Sequence, residues 1–373
     1  MGHGFRQTAA TVSLAWIVAI GGVAQACCPA WKIGSPITIA DQKILVIWDP
    51  DTKTEHFIRA AGFRGSPRRD EGQANDAAGF GFLVPSPAQP EVAAADAEVF
   101  TALDDAIRPK VVVVDRWRAD PMPLLLKPFL LSQKVASRAA PTADAPMSEV
   151  RVLERKQVGQ YDVAVLQADD ARALTEWLAG NGFDSRPALE AWARPYVDKG
   201  WIITAFRYAE NTGRVETGAV RMSFKTEVPM FAYRVPTDNI ANADEGQPPS
   251  LLRAFVVLPG RANGTLGEGE QARGWEQALC RYSRPLADEG LRGLLDRTVG
   301  PDATVPATAW LTAFDDRTWP SGTEDLRFTY QPDGSEYQEV DRRFRDRSIP
   351  LPLDVIGVAI AAAAWGVKRR LAT

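Results

Sequence analysis

Short apolar runs separated by clusters of Gly, Pro, Asn and Asp recur from Lys43 onward, a pattern of β-strands more than of long helices. Lys43–Trp48 (KILVIW) and His56–Phe63 (HFIRAAGF) flank Asp49-Pro50-Asp51-Thr52-Lys53, whose composition suits a hairpin turn. Gly79–Val84 reads as a strand stopped by Pro85-Ser86-Pro87, and Lys110–Trp117 (KVVVVDRW) as another. Between them, Val92, Val99, Phe100, Leu103 and Ile107 fall at helical spacing and predict one helix over Glu91–Ile107. Past Ser137–Ser148 (SRAAPTADAPMS), strands are expected at Val150–Lys156, Tyr161–Gln167 and Trp201–Tyr208. Asp169–Leu178 predicts a helix with Asp at its cap and Asn181-Gly182 as its stop, and Arg186–Val197 a second. Later strands are expected at Ala219–Phe224, Leu252–Leu258, Ala309–Phe314 and Leu326–Tyr330, while Gly260–Gly274 reads as loop. Strands and helices mix without regular alternation. The expected class is therefore α+β, with mixed, mainly antiparallel sheets and a few helices.

The two ends change that picture. Arg6 precedes an apolar run, Ala9–Val23, and Ala24-Gln25-Ala26 supplies a small-x-small cleavage site, so residues 1–26 read as a secretory signal peptide. At the other end Leu351–Val367 is apolar apart from Asp354, and Lys368, Arg369 and Arg370 follow at once. At ~1.5 Å per residue this stretch spans roughly 25 Å, enough for a short transmembrane helix with its basic flank inside. The expected organisation is an N-terminal half (27–136), a C-terminal half (149–335), a charged stalk (336–350), a single C-terminal transmembrane helix (351–367) and a cytoplasmic tail (368–373). The bulk would lie on the outer side of a cytoplasmic membrane.

Charge and composition exclude some chemistries. A formal net charge of -4 without a basic stripe argues against a nucleic-acid partner. Cys27, Cys28 and Cys280 are an odd count, so one intramolecular bridge at most can form. In an oxidising compartment Cys280 would pair with Cys28, with Cys27 as the alternative. After signal removal His56 is the sole histidine, which excludes multi-histidine metal sites, and no GxSxG elbow occurs. Asp49, Asp51 and Glu55 resemble a calcium loop, but Lys53 and Thr54 break the pattern and favour a plain turn. The glycines at Gly264, Gly267 and Gly269 lack a Gly-Lys-Ser/Thr and carry Glu268 and Glu270, so no phosphate loop is expected. Adjacent acids at Asp104-Asp105, Asp169-Asp170 and Asp315-Asp316 read as capping or solvated residues, since a two-carboxylate hydrolase needs acids that face each other. No cofactor and no catalytic residue is expected. Trp177, Trp192 and Trp201 cluster in sequence and either pack in a core or line a ligand groove.

Several stretches together carry a family resemblance. They are the start Ala26-Cys27-Cys28-Pro29, the hairpin with His56, GFGFLVPSPAQPEV (Gly79–Val92), VLERKQVGQYDVAVLQADDARALTEWLAGNGF (Val152–Phe183) and YVDKGWIITAFR (Tyr196–Arg207). In this order they resemble the exported bacterial family called domain of unknown function 2330, over Cys27 to about Val235. That resemblance implies a bacterial envelope protein with a signal peptide and brings no activity or catalytic residue with it. The expected function is a membrane-anchored, extracytoplasmic binding or scaffolding module whose partner is an envelope protein or glycan. A carboxylate-based envelope hydrolase is the alternative.

Overall fold

The computed structural model describes residues 28–29, 38–64, 81–120, 151–183, 185–208, 218–238, 251–319 and 322–350, with 362, 364–365 and 368–369 near the end. The expected signal peptide, Cys27, the 137–148 linker and most of 351–367 lie outside the described residues. Among the described residues no helix is long and apolar enough to cross a membrane.

Two sheets carry the body. The larger runs in the order β18 (Tyr337–Gln338), β15 (Ala278–Pro285), β16 (Trp310–Asp316), β12 (Leu251–Leu258), β2 (Thr38–Asp49), β3 (Thr54–Arg64), β10 (Ala219–Lys225) and β5 (Glu91–Ala95). All neighbours are antiparallel except β2 and β12, which pair in parallel from Leu251 with Asp41 to Val257 with Ile47. The smaller sheet is antiparallel throughout, in the order β1 (Cys28–Pro29), β4 (Gly81–Ser86), β9 (Ile202–Tyr208), β8 (Tyr161–Gln167) and β7 (Arg151–Val158). A third sheet joins β11 (Met230–Phe231), β17 (Leu326–Gln331), β13 (Arg261–Leu266) and β14 (Arg273–Gly274). The expected mixed, mainly antiparallel α+β architecture is what the chain adopts.

The alternation of side chains along each strand builds four layers. Ile44, Val46 and Trp48 of β2 meet Phe82, Val84, Val163 and Phe206 of the smaller sheet in one core between the sheets. Leu45 and Ile47, on the opposite face, pack with helices α1 (Glu98–Ala106) and α4 (Glu289–Val299). On the far side, Leu83, Leu166 and Ile203 bury α2 (Ala171–Gly180) and α3 (Pro187–Val197). Helices, large sheet, small sheet, helices: this is the order of the stack. Asp170 caps α2 by accepting from Ala173 N at 2.8 Å, and Gly182 (φ +81) lets the chain leave the helix at the expected stop.

Several expectations need correction. Strands from before and after residues 137–148 share both sheets and are interleaved in the larger one, so that segment does not divide the body into halves 27–136 and 149–335. Glu91–Ile107 is not one helix: Glu91–Ala95 pairs with β10, and α1 begins only at Glu98. Glu98 N donates to Asp96 Oδ1 at 2.9 Å, a local stop–start signal inside the apolar pattern. Gly260–Gly274 is largely paired, because Gly264 lies beneath the Trp275 ring, where an added Cβ would come within 2.8 Å. The charged stalk contains β19 (Val340–Pro350), paired in parallel with β6 (Lys110–Asp120). Asp315 and Asp316 are not solvated. Asp315 forks with Arg253 at 2.7 and 2.8 Å, and Asp316 accepts from Tyr233 Oη at 2.6 Å.

One charge in the central core stands out. Arg59 is 2 % exposed, none of its guanidinium nitrogens has a hydrogen-bond partner among the described residues, and it stacks 3.9 Å over the Phe82 ring. A cation–π contact returns about 2 kcal/mol when desolvated, whereas burying an ion costs several kcal/mol. The desolvation term wins. Arg59→Met, apolar and of comparable length, is therefore expected to raise stability by about 1–3 kcal/mol in urea unfolding. A clear loss of stability would show that the fold needs the charge.

Candidate functional site

The hairpin between β2 and β3 ends in a tight turn. Asp49 accepts from Asp51 N at 2.9 Å and from Thr52 Oγ1 at 2.7 Å, and Lys53 adopts φ 51, a left-handed conformation that closes the turn. The end of β10 folds against it: Thr226 N donates to Lys53 O at 2.9 Å, and Lys225 Nζ donates to Thr52 O at 2.7 Å and Thr54 Oγ1 at 2.8 Å. This corner, with Pro87, Trp201, Met230 and Arg327, encloses an open cleft of about 450 Å³.

Cations exceed acids around the cleft. Lys53, Lys225 and Arg327 line it, and Lys199 stands 5.7 Å from the Trp201 ring centroid. Glu227, the one acid in the lining, pairs with Lys53 at 2.5 Å; both are more than half exposed. Such a pair is worth at most ~1 kcal/mol, so a ligand can displace it readily. Glu268, behind Arg327, accepts from Lys199 at 2.8 Å and from Arg327 at 2.5 Å, and those bonds hold it below the ordinary carboxylate range. An apolar ring with a surplus of positive charge is chemistry for an anionic ligand that also presents an apolar face.

Next to the turn, β3 carries two buried titratable groups, one on each face. Glu55 is wholly buried; its Oε2 accepts from Met230 N at 2.8 Å, and its Oε1 has no partner among the described residues. Burial pushes its carboxyl well above the usual range, against the lowering effect of that bond. His56, on the opposite face of β3, has Nδ1 at 2.9 Å from Ser223 Oγ, and burial, followed by the Arg221 charge, lowers it to about 4. Its only described side-chain polar partner is that serine hydroxyl, with no acid in a relay.

Of the three tryptophans read as either core or groove, the structure buries two and brings one to the cleft. Trp177 and Trp192 are buried in the core under α2 and α3, and Trp192 Nε1 donates to Arg234 O at 2.9 Å. Trp201 packs at the edge of that core and lines the cleft. Cys280 stands on β15 with its Sγ 3.6 Å from Tyr282 O, and no disulfide is found among the described residues; of its two expected partners Cys28 begins β1 of the smaller sheet and Cys27 lies outside the described residues. Asp49, Asp51 and Glu55 do not converge, and no group of three metal-ligating side chains occurs among the described residues. The cations of the cleft were missed in the sequence, because Lys53, Lys225 and Arg327 are far apart along it; only their placement at strand ends hinted at a shared rim.

The fold and cleft define a four-layer α/β/β/α protein with a basic, tryptophan-walled opening at one end of its larger sheet. The chain belongs to the family described as an uncharacterized protein conserved in bacteria (DUF2330), whose model matches residues 34–256 and so extends the resemblance seen in the sequence. No curated protein and no solved structure matches it.

The two buried groups make opposite contributions to stability. Below its ordinary value of 6.5 an unfolded His56 takes up a proton that the folded one refuses down to about 4. Its contribution is thus complete above pH 6.5 and is lost as pH falls through that window, to a total of ~3 kcal/mol. Glu55 acts the other way: the folded state keeps a proton that the unfolded chain loses above 4.5, so stability declines as pH rises toward its raised value. Urea midpoints measured against pH should lose their acid-side slope in His56→Gln and their alkaline-side slope in Glu55→Gln. Unchanged slopes would show that neither group titrates with folding.

Proposed function

We propose that the chain is an envelope protein, exported by residues 1–26 and held by 351–367, whose body binds an anionic envelope glycan in the cleft beside Trp201. The observation that carries this reading is the pairing of the Trp201 face with the lysines and arginine of one rim. A sugar ring presents an apolar face that stacks on an indole, and its carboxylate or phosphate groups seek ammonium and guanidinium donors. The cleft volume of about 450 Å³ lies in the range of small-ligand sites. Membership of a bacterial family, the apolar N-terminal run and the apolar C-terminal run with its basic flank support the placement.

The alternative, a carboxylate hydrolase, requires two acids facing one space. Glu227 is the one acid in the lining, and Glu55 is sealed beneath it. The arrangement therefore favours binding.

Two measurements test the reading. An alkaline phosphatase fusion after Ser348 should be active and one after Thr373 inactive; activity in both, or in neither, counts against the topology. Binding of acidic polysaccharides from the producing cell should weaken about tenfold in Trp201→Ala, the order expected for loss of one ring contact and its cation neighbours. Equal binding by wild type and variant, or binding only of neutral glycans, would overturn the assignment of the cleft.

A further inference from the structure

We propose that the parallel ribbon of β6 and β19 is a membrane-facing stalk whose arginine-rich surface lies in the headgroup region of an anionic bilayer. The inference rests on the anchored reading above, but on different residues. The two strands run in register from Val340 with Lys110 to Pro350 with Asp120, each 11 residues long. They form a separate sheet of two strands. A two-stranded ribbon is marginal in water without something to cover it. Yet Val111, Val113, Val114, Val340 and Phe344 are all exposed, with Phe344 at 56 %.

Three observations identify the cover as lipid. First, parallel pairing delivers both strands to the same end, and beyond that end both sequences turn apolar: Pro121–Leu131 (PMPLLLKPFLL) and Leu351–Val367. Second, the ribbon carries seven Lys and Arg against four Asp, in a chain with net charge -4. Third, its exposed aromatic is joined to a cation: the Arg116 guanidinium lies 4.3 Å over the Phe344 ring, and Arg345 and Arg347 share Asp115 at 2.7 and 3.0 Å. Valines and a phenylalanine interleaved with arginines suit the boundary between acyl chains and phosphates, where long cationic side chains reach outward. Each basic residue near an anionic surface strengthens attachment roughly fivefold.

The test uses the full chain in lipid nanodiscs, with a photoreactive phenylalanine analogue at Phe344 or, as control, at the body residue Leu279, which is 58 % exposed. Lipid adducts are expected at Phe344 and not at Leu279, in discs containing phosphatidylglycerol. Arg342→Glu with Arg343→Glu should cut adduct yield at least tenfold while the protein stays in the disc. A crosslink from Phe344 to a second copy, to residues 121–150, or to nothing would overturn the proposal. So would equal yield in neutral discs. Protein that fails to enter discs at all would instead refute the anchored reading, and soluble wild-type protein added to phosphatidylglycerol vesicles then tests the ribbon alone: binding abolished by the same double variant upholds it, and no binding sinks it.

Discussion

The parallel pairing of β2 with β12 is the constraint on which the rest of the fold depends. These strands lie at the centre of the larger sheet, more than two hundred residues apart in the chain, and no hairpin can join them. Both of their faces are covered, one by the smaller sheet and the other by α1 and α4. That is why KILVIW and LLRAFVVL are nearly continuous apolar runs and do not alternate. Every outer strand of the sheet registers on this pair: β3, β10 and β5 on one side, β16, β15 and β18 on the other. The matched family region, 34–256, begins just before β2 and ends inside β12, so it takes in both members of the pair.

The ion chain along one rim of the sheet secures that arrangement. Arg253 of β12 meets Asp315 of β16 on one side and Asp104 of α1, at 2.7 Å, on the other; Lys43 of β2 also bonds Asp104. Helix, parallel pair and neighbouring strand are thereby joined through one guanidinium and the Asp104 carboxylate. Its planar fork binds Asp315 through two nitrogens, a geometry that a lysine lacks. Asp315 is 2 % exposed, so removing Arg253 would leave a buried charge with only Arg281, at 3.5 Å, to balance it, whereas the exposed Lys53–Glu227 pair at the cleft can open at little cost. Strength is concentrated at the rim that holds the sheet, and the weak pair is found where a ligand would enter.

What could be read from the sequence follows the same physics. Strands buried on one or both faces, such as β2, β8 and β12, announce themselves by apolar density, and α2 by Asp170 and Gly182 at its ends. Strands defined by their partner do not. Glu91–Ala95 is an alanine-rich stretch that becomes β5 because β10 offers an edge, and Arg261–Leu266 becomes β13 because Trp275 needs a glycine beneath it. Val340–Pro350 carries so many charges that pairing with Lys110–Asp120 leaves no periodic trace. The cleft was legible only through Trp201. Its cations converge from three separated strand ends, and spacing along a chain does not encode such convergence.

Strand direction relates the cleft to the ribbon. β2 runs toward its turn at Asp49, where Lys53 and Thr52 begin the cleft. β12 runs the same way, β16 the reverse, β15 the same way again, and β18 therefore runs away from the turn. Glu339 N donates to Arg281 O at 3.0 Å, which carries the chain further in that direction before Val340 enters the ribbon. Gln338 lies in the row that crosses the sheet through Tyr282, Ala313, Phe255 and Leu45, four residues back along β2 from the turn at Asp49. At ~3.3 Å per residue the root of the ribbon thus sits roughly 13 Å from the turn along the strands, and the chain leaves it heading away from the cleft. A stalk leaving in that direction presents the cleft outward, away from whatever surface the stalk meets. The parity of three strand reversals, counted from the parallel pair, is what sets this orientation.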